Sequence, residues 1–393
     1  MAGALDGIQI LELASYVTGP FAAMLLADLG ADVIKVETPG HGDPFRGWGG
    51  NLYAGGFCGL NRNKKSITLD IRQDEGRDIF LKLAGSSDVL IENLRPGVMD
   101  RNGLGYDAVQ ALNPSIIYCS ISGFGQSGPY RELPGYDTIG QALSGLLSLL
   151  TDPETPQGMG VSLSDHLTGV YASYAVLGAL MHRQKTGEGQ RVETSLLRAT
   201  LSFLAEGSAH YFDSGQAPSR AKRTHRAGVY AFLDKDAKPF VIHLSSPEKF
   251  WRGLLDTVGK PEWAEDERFR DRKARTDNYT QLAAELQAIF RTAARDEWLQ
   301  RLQHNDVPAA PLQTLAEAYQ DPQVQTYGFP VEVEHPKLGK VRMAGSGIEL
   351  SRTPPQADRL PPPALGEHTR EILDSLGYDG ESLAQLLEKK VIS

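Results

Sequence analysis

The sequence has 393 residues, of which 41% are hydrophobic and 23% charged, and this composition excludes a disordered chain. Because one hydrophobic core usually stops growing at about 250–300 residues, the length predicts two domains. The formal net charge of −9 argues against a general nucleic-acid-binding surface, which needs a field of Lys and Arg.

Apolar runs alternate with helical patterns through the first third of the chain. Strands are predicted at 7–15, 32–37, 66–71, 88–93 and 115–122, and helices at 19–31, 74–84 and 105–113. Strands that alternate with helices indicate a parallel sheet covered on both faces. The predicted fold class is therefore α/β.

The later segments predict a smaller domain and a return to the first one. Helices are predicted at 136–150, 160–189, 247–259, 278–293, 295–305 and 366–377, a hairpin at 229–243, and extended segments within 321–350. The stretch 213–228 is polar and basic without an apolar period, which is typical of a linker. We therefore predict a large domain at 1–212, a linker at 213–228, a small α+β domain at 229–325, and a segment at 326–393 that completes the large domain.

Several classes of protein are not indicated. Cys58 and Cys119 are too few for a disulfide framework, and a reducing compartment, the cytoplasm, is expected. The N-terminus has no basic signal region, and no apolar run approaches the roughly 18 residues of a membrane span. The nine histidines form no H-E-x-x-H pattern, so no metal site is predicted.

One carboxylate stands at the start of a long apolar segment. In "GVSLSDHLTGVYASYAVLGAL", Asp165 follows two serines and precedes an almost wholly apolar run. Ser162, Ser164 or Asp165 could cap a buried helix, because a short side-chain oxygen accepts hydrogen bonds from the first turn. The alternative is that a carboxylate beside a dry apolar wall acts as a nucleophile. His166 is not paired with it, since adjacent helical positions point about 100° apart.

Glycine motifs argue against a dinucleotide cofactor. The turn "SYVTGPF" has one glycine where the phosphate-binding fingerprint has three. A literal G-x-G-x-x-G occurs at Gly123, Gly125 and Gly128, but Pro129 and Pro134 prevent the helix start that would receive a pyrophosphate. We interpret it as an active-site loop at the end of a strand.

Basic residues lie at the ends of successive predicted strands. They are Arg62, Lys64 and Lys65, then Arg72, and then Arg95 and Arg101. Side chains at the carboxyl ends of neighbouring parallel strands can converge, and guanidinium groups bind phosphate well. The pattern favours a phosphate-bearing ligand. The G-x-S-x-G elbow of serine hydrolases is absent, which leaves Asp165 as the best nucleophile candidate.

The blocks "LDGIQILEL", "GPFAAMLLADLGADVIKVE", "NRNKKSITLD", "DVLIENLRPGVMDRNGL", "PGYDTIGQALSG", "SDHLTGVYA", "KTGEGQRVETSLL" and "LGEHTREIL" closely resemble the class III CoA-transferases. This family includes formyl-CoA transferase and shares its fold with the α-methylacyl-CoA racemases. The resemblance covers nearly the whole chain. It implies a Rossmann-like large domain with a parallel sheet, a smaller domain, and a ring-shaped chain interlocked in a homodimer.

The resemblance also implies roles for individual residues. It makes Asp165 the catalytic nucleophile and coenzyme A a substrate, with no permanently bound cofactor. The coenzyme A contacts that it implies are Val17, Thr18, Leu69, Asp70, Ile71, Arg72, Asn93, Leu94, Arg95, Arg101, Leu133, Pro134, Gly135 and Tyr136.

The expected activity is transfer of CoA from an acyl-CoA, succinyl-CoA or another dicarboxyl-CoA, to a small carboxylic acid through aspartyl anhydride and aspartyl-CoA thioester intermediates. Formyl-CoA transferase has Gln where Val17 stands, Arg where Thr38 stands, and a glycine-rich loop that is missing here, which argues against formyl transfer to oxalate. The alternatives are a 2-methylacyl-CoA racemase and a non-catalytic CoA-binding protein. The racemases have His where Tyr136 stands, and Tyr is a poor base at neutral pH.

Overall fold

The computed structural model describes residues 3–50, 52–245 and 247–393. Within them, six strands form a parallel sheet in the order β3-β2-β1-β4-β5-β6. These strands are β1 (Gln9–Leu13), β2 (Asp32–Glu37), β3 (Lys64–Thr68), β4 (Val89–Glu92), β5 (Ile117–Ser122) and β6 (Gln190–Ser195). The strand order reverses between β1 and β4, the place where open α/β sheets bind ligands. The predicted α/β class and parallel sheet are confirmed.

Helices cover both faces of the sheet, and further helices follow it along the chain. In chain order they are α1 (Thr18–Asp28), α2 (Gly55–Leu60), α3 (Asp74–Ser86), α4 (Val98–Arg101), α5 (Tyr106–Leu112), α6 (Asp137–Leu143), α7 (Leu146–Leu150), α8 (Leu163–Thr186), α9 (Leu196–Phe203), α10 (Ala205–Ser214), α11 (Arg220–Ala227), α12 (Glu248–Val258), α13 (Arg272–Asp277), α14 (Tyr279–Phe290), α15 (Arg295–His304), α16 (Leu315–Ala318), α17 (Pro322–Thr326), α18 (Thr369–Ser375) and α19 (Gly380–Glu388). Short 3-10 helices span Pro44–Gly49 and Pro261–Ala264.

The sheet is buried on both faces because its strands alternate between two apolar cores. Ile10 of β1 packs in the core beneath α1 and α8, whereas its neighbour Leu11 packs in the opposite core with α3. Every residue of β4 is buried, as expected for a central parallel strand. The core on the Leu11 side is completed by the C-terminal segment, which contributes Leu373 and Val391.

Some elements differ from the sequence-based prediction. β6 was not predicted as a strand, because "QRVETS" is mostly polar and has no apolar run. It is polar because it is the edge strand of the sheet and pairs only with β5. The helix predicted at 136–150 is two helices, since Gly145 adopts a φ of 82° between α6 and α7. The helix expected to be the last is followed by α19.

The described chain divides into two compact units. The first contains 1–147, 158–205 and 322–393, and the second contains 148–157 and 206–321. The first also holds the hairpin β10 (Val331–His335) and β11 (Gly339–Met343). In the second, β7 (Val229–Leu233), β8 (Pro239–His243) and β9 (Ala309–Pro311) form an antiparallel sheet. Helix α11 lies within the stretch that the sequence predicted as a linker.

Candidate active site

Asp165 lies in the first turn of α8, which packs against α1, α6 and α9. Gly169, one turn later on the same face of α8, allows α8 and α1 to approach closely. A Cβ at this glycine would lie 2.8 Å from the ring of Phe21 and 3.0 Å from the carbonyl oxygen of Thr18. Because positions i and i+4 share a face of a helix, Asp165 points towards the start of α1.

The first turn of α8 is capped from another helix. The backbone N–H of Asp165 donates to Oδ1 of Asp137, at the start of α6, over 3.2 Å. Ser162, the residue at the N-cap, makes no side-chain capping bond, and the Ser164 hydroxyl bonds to that of Thr200 at 2.8 Å. Among the described residues, none donates a hydrogen bond to the carboxylate of Asp165. The helix-capping interpretation of Asp165 therefore has no hydrogen bond to support it.

The surroundings of Asp165 favour its neutral form. Burial raises the pKa of Asp165 to about 7, and the negative charge of Asp137 adds to the rise. Gln141 holds Asp137 in place by donating from Nε2 to Asp137 Oδ2 over 2.6 Å and to the Val161 carbonyl over 3.1 Å. Near neutral pH the Asp165 carboxylate is thus poorly solvated when it is ionised, which is how a nucleophilic oxygen is made more reactive.

His166 takes no part in this arrangement. Its Nδ1 lies 2.7 Å from the Ser162 carbonyl oxygen, and its ring packs edge-on against Phe21 at 4.8 Å. This orientation agrees with the sequence-based view that His166 and Asp165 are not a catalytic pair.

The residues expected to contact coenzyme A lie after strands β1, β3, β4 and β5, at one edge of the sheet. Val17 and Thr18 start α1, Leu69, Asp70, Ile71 and Arg72 follow β3, Asn93, Leu94 and Arg95 follow β4, Arg101 ends α4, and Leu133, Pro134, Gly135 and Tyr136 lead into α6. The turns after β1 and β4 are bonded together, because Asn93 Nδ2 donates to the Ser15 carbonyl at 2.8 Å and to Thr18 Oγ1 at 3.0 Å.

The arginines of this group are not equivalent. Arg72 is bound to Asp70, with Nε 2.8 Å from Oδ1, and this bond holds the pKa of Asp70 down at about 2. Arg101 is exposed beside Gly97, and a half-buried arginine that the sequence did not single out, Arg131, also lies beside Gly97. A Cβ at Gly97 would lie 2.9 Å from Nη1 of Arg101 and 3.2 Å from Nη2 of Arg131, so the two guanidinium groups are neighbours.

Two other basic residues do not belong to a phosphate site, and this part of the prediction is wrong. Arg62 is buried in a bidentate pair with Asp28, with Nη2 2.6 Å from Oδ2. Lys64 is buried with its Nζ 2.8 Å from Glu12 Oε2 and 2.8 Å from the Pro20 carbonyl oxygen. Both cations neutralise buried carboxylates, so neither is free for a ligand.

An aromatic cluster flanks the site and was not predicted. The ring of Tyr16 lies 6.2 Å from Phe45, 6.1 Å from Trp48 and 6.4 Å from Tyr136, which immediately precedes Asp137. Tyr16 has a φ of 62°, an unusual value for a bulky residue, and its N–H donates to Asp43 Oδ1 at 3.1 Å. Strained residues of this kind cluster at functional sites.

The described residues contain no group of three His, Cys, Asp or Glu side chains arranged to hold a metal ion. None of the helices in 3–50, 52–245 and 247–393 combines the length and the apolarity needed to cross a bilayer.

Comparison with known proteins identifies the family. The model of "CoA-transferase family III" matches residues 5–369, so the chain belongs to this family of enzymes. It is 36% identical to succinyl-CoA:glutarate CoA-transferase of Mus musculus, over 99% of this chain and 90% of that protein. It is also 36% identical to succinyl-CoA–D-citramalate CoA-transferase of Chloroflexus aurantiacus, over 99% of this chain and 98% of that one. The crystal structure of a CaiB/BaiF family protein from Brucella suis superposes with a TM-score of 0.86, at 36% identity, over 96% of this chain and all of that one.

Proposed function

We propose that this CoA-transferase moves CoA from succinyl-CoA, or another dicarboxyl-CoA, to a small dicarboxylic acid through covalent intermediates on Asp165. The observation that carries the proposal is the Asp165 carboxylate itself, which is half-buried, has a raised pKa and receives no hydrogen bond from a described residue. The relatives named above use succinyl-CoA with glutarate or citramalate, which supports this class of donor and acceptor.

In the proposed chemistry, the carboxylate of Asp165 carries first the acyl group and then CoA. The ionised oxygen of Asp165 attacks the thioester carbonyl of the donor, the C–S bond breaks, and CoA thiolate leaves a mixed anhydride on the enzyme. The thiolate then attacks the aspartyl carbonyl, which releases the first acid as its carboxylate and leaves an aspartyl-CoA thioester. The acceptor carboxylate reverses these two steps and carries CoA away, so that Asp165 is regenerated.

The apolar residues behind Asp165 suit this sequence of steps. Both intermediates are hydrolysed by water, so water has to be kept out of the site. Directly after the turn that carries Asp165, α8 packs apolar residues against the sheet, and Ala172 and Val176 are fully buried there. Overall, one CoA thioester is exchanged for another of similar energy, so the reaction needs no external energy source and no change of oxidation state.

For coenzyme A, we propose a site along the carboxyl ends of β1, β3, β4 and β5, made of the residues named for it above. Arg95 and Arg101 are exposed there, and the described residues give neither of them an acidic partner within ion-pair distance. Guanidinium groups held in this way suit phosphate oxygens.

The racemase alternative needs two acid/base groups that flank the α-carbon of an acyl-CoA. Tyr136 occupies the position of the racemase histidine, and it is exposed in the aromatic cluster. Rapid deuterium exchange at the α-carbon of 2-methylacyl-CoA would support the racemase; we expect none above the uncatalysed rate.

We propose that the enzyme acts as an interlocked homodimer in the cytoplasm. Helix α8 exposes an apolar face that includes Val170, Tyr174 and Met181, and Tyr174 is 72% exposed. A contiguous apolar helix face of this kind is a common protein-protein contact, and a second copy of the chain is the occupant that the resemblance implies. Cys58 and Cys119 are buried free thiols, which agrees with a reducing compartment.

Covalent labelling tests the central step. The protein is incubated with succinyl-CoA, treated with borohydride or hydroxylamine, and digested, and the modified peptide is identified by mass spectrometry. We expect the label on Asp165. Asp165→Asn should fold and bind CoA but lose at least about 10³-fold in turnover, because the amide is not a nucleophile. Asp107→Asn, which changes an exposed first-turn acid on α5, is the control. A label elsewhere, or near-normal turnover of Asp165→Asn, would contradict the mechanism.

A further inference from the structure

The second unit contains a small basic cavity that the proposed reaction leaves unassigned. It lies where α11, the loop before α12 and the start of α13 meet, and its volume is about 20 Å³. Its lining includes His225, Arg226, Tyr230, Trp251, Arg272 and Arg275. A water molecule needs roughly 10–15 Å³ on this measure, so the enclosed part accepts one or two oxygen atoms and the rest of any ligand stays outside.

One residue of the cavity lining carries a buried hydrogen-bond donor that has no acceptor. Trp251 is 2% exposed, and no described residue accepts a hydrogen bond from its indole Nε1. An indole N–H can only donate, and buried ones nearly always find a partner. A buried unpaired donor destabilises the folded state, and a ligand oxygen that accepts its hydrogen bond would remove this penalty.

The charge around the cavity is positive. Arg275 stacks over the ring of Trp251, with its guanidinium carbon 4.7 Å from the ring centre, and is neutralised by Glu248 at 2.9 Å. Arg226 and Arg272 have no acidic side chain within ion-pair distance among the described residues. Nη2 of Arg272 donates to the Arg226 carbonyl at 2.9 Å, which holds the two residues side by side. Two uncompensated guanidinium groups next to a free N–H attract an anion.

Aromatic stacking and backbone bonds keep the cavity in shape. His225 stacks on Tyr279 with ring centres 3.8 Å apart, and Tyr279 stacks on Tyr230 at 4.4 Å. The backbone N–H of Ser245 donates to the Ala227 carbonyl at 2.8 Å, which joins the segment after β8 to the end of α11. A site that is formed before the ligand arrives loses little entropy on binding.

We propose that this cavity binds an oxyanion, a carboxylate or a phosphate group, through the Trp251 indole N–H and the guanidinium groups of Arg226 and Arg272. The proposal rests on the proposed function for the choice between these two sources, because both groups occur on substrates of such a transferase. The geometry itself requires only an oxyanion small enough for one or two of its oxygens to enter.

The indole proton of Trp251 reports occupancy directly. The full chain is labelled with ¹⁵N-tryptophan, the Trp251 resonance is assigned from Trp251→Phe, and inorganic phosphate, glutarate, CoA and dephospho-CoA are titrated in turn. We expect a downfield shift of this resonance as the hydrogen bond forms. A shift with glutarate identifies the carboxylate; shifts with phosphate and CoA but not with dephospho-CoA identify the 3′-phosphate. Because inorganic phosphate needs no turnover, this experiment remains decisive if the transferase activity itself is not found.

The variants distinguish a ligand site from a packing defect. Arg226→Gln with Arg272→Gln removes two exposed charges, and Arg252→Gln on α12 removes one outside the cavity as the control. We expect the double variant to lose the shift and to bind the effective probe about tenfold more weakly, as for the loss of charged contacts to an anion. The control should match the wild type. If no probe moves the Trp251 resonance, or if the shift persists in the double variant, the proposal is wrong.

Discussion

Replacing Asp137 by Asn should move the acid limb of the activity profile to lower pH. The structure gives Asp165 a pKa of about 7, compared with 3.8 for a free side chain. That difference corresponds to roughly 4 kcal/mol. Burial is the larger cause and the charge of Asp137 the second. Asn keeps an oxygen that can accept from the Asp165 N–H, as Asp137 Oδ1 now does, so the variant removes mainly the charge.

The size of the effect can be worked out from electrostatics. Two unit charges about 6 Å apart interact by roughly 3 kcal/mol at an effective dielectric constant of 20, which sets an upper limit of about 2 pKa units. Since burial remains, we expect a fall of about one unit, from about 7 to about 6. At pH 6 the ionised fraction of Asp165 then rises from about 10% to about 50%, or about fivefold.

The assay is the pH dependence of kcat/KM for succinyl-CoA with a saturating acid, between pH 5 and 9. Wild-type activity should rise with pH through about 7, because only the ionised carboxylate attacks the thioester. In Asp137→Asn the half-rise should occur about one unit lower, whereas Asp107→Asn should leave it unchanged. An unchanged half-rise in Asp137→Asn, or the same shift in both variants, would refute the coupling between Asp137 and Asp165.

Three further predictions concern ligand binding and stability. Arg131→Gln should raise the KM for acyl-CoA severalfold with little change in kcat, as Arg101→Gln should, because both flank Gly97; an unchanged KM in steady-state assays removes Arg131 from the site. Burial raises the pKa of Glu92 to about 7, so this group favours folding at low pH and its contribution is lost as pH rises through 7. The free energy of unfolding of Glu92→Gln, relative to that of the wild type, should therefore increase from pH 5 to pH 8 by on the order of 3 kcal/mol in urea unfolding. If this difference is the same at pH 5 and at pH 8, the raised pKa is contradicted. Arg46→Met leaves buried Glu37 unpaired and should lower the free energy of unfolding by about 3–5 kcal/mol at pH 7, whereas a loss below 1 kcal/mol would show that the pair is dispensable.

The sequence predicts the sheet well where burial is two-sided. β4 begins with three consecutive apolar residues and ends at Glu92, and a short apolar run of this kind between helices has few other interpretations. β6 escaped prediction because its alternating polar residues, such as Arg191 and Glu193, are paired with each other at the sheet edge. A pattern of hydrophobicity alone does not distinguish an edge strand from a loop.

The candidate site was predictable in part for a similar reason. Asp165 stands out because a charge before an apolar run is unusual, but its partner Asp137 is 28 positions earlier and looks like an ordinary helix-start acid. Charge was also misleading at Lys64 and Arg62, since the sequence shows a cation without showing the buried Glu12 or Asp28 that neutralises it. Partners that are distant in sequence are fixed by topology, and composition and spacing carry no record of them.

The loop that carries Asp43, Arg46 and Trp48 is anchored by one set of residues and exposes another. Asp43 binds Lys35 at 3.0 Å and the N–H of Tyr16, and Arg46 binds both oxygens of Glu37 and lies over the ring of Phe57. Trp48, two residues further on, is 74% exposed and shares none of these bonds. The residues that anchor the loop are therefore inside the protein, whereas Trp48 faces outward. Its outer side chains can be exchanged, by evolution or by an engineer who wants a different acid accepted, without loosening the fold that holds them.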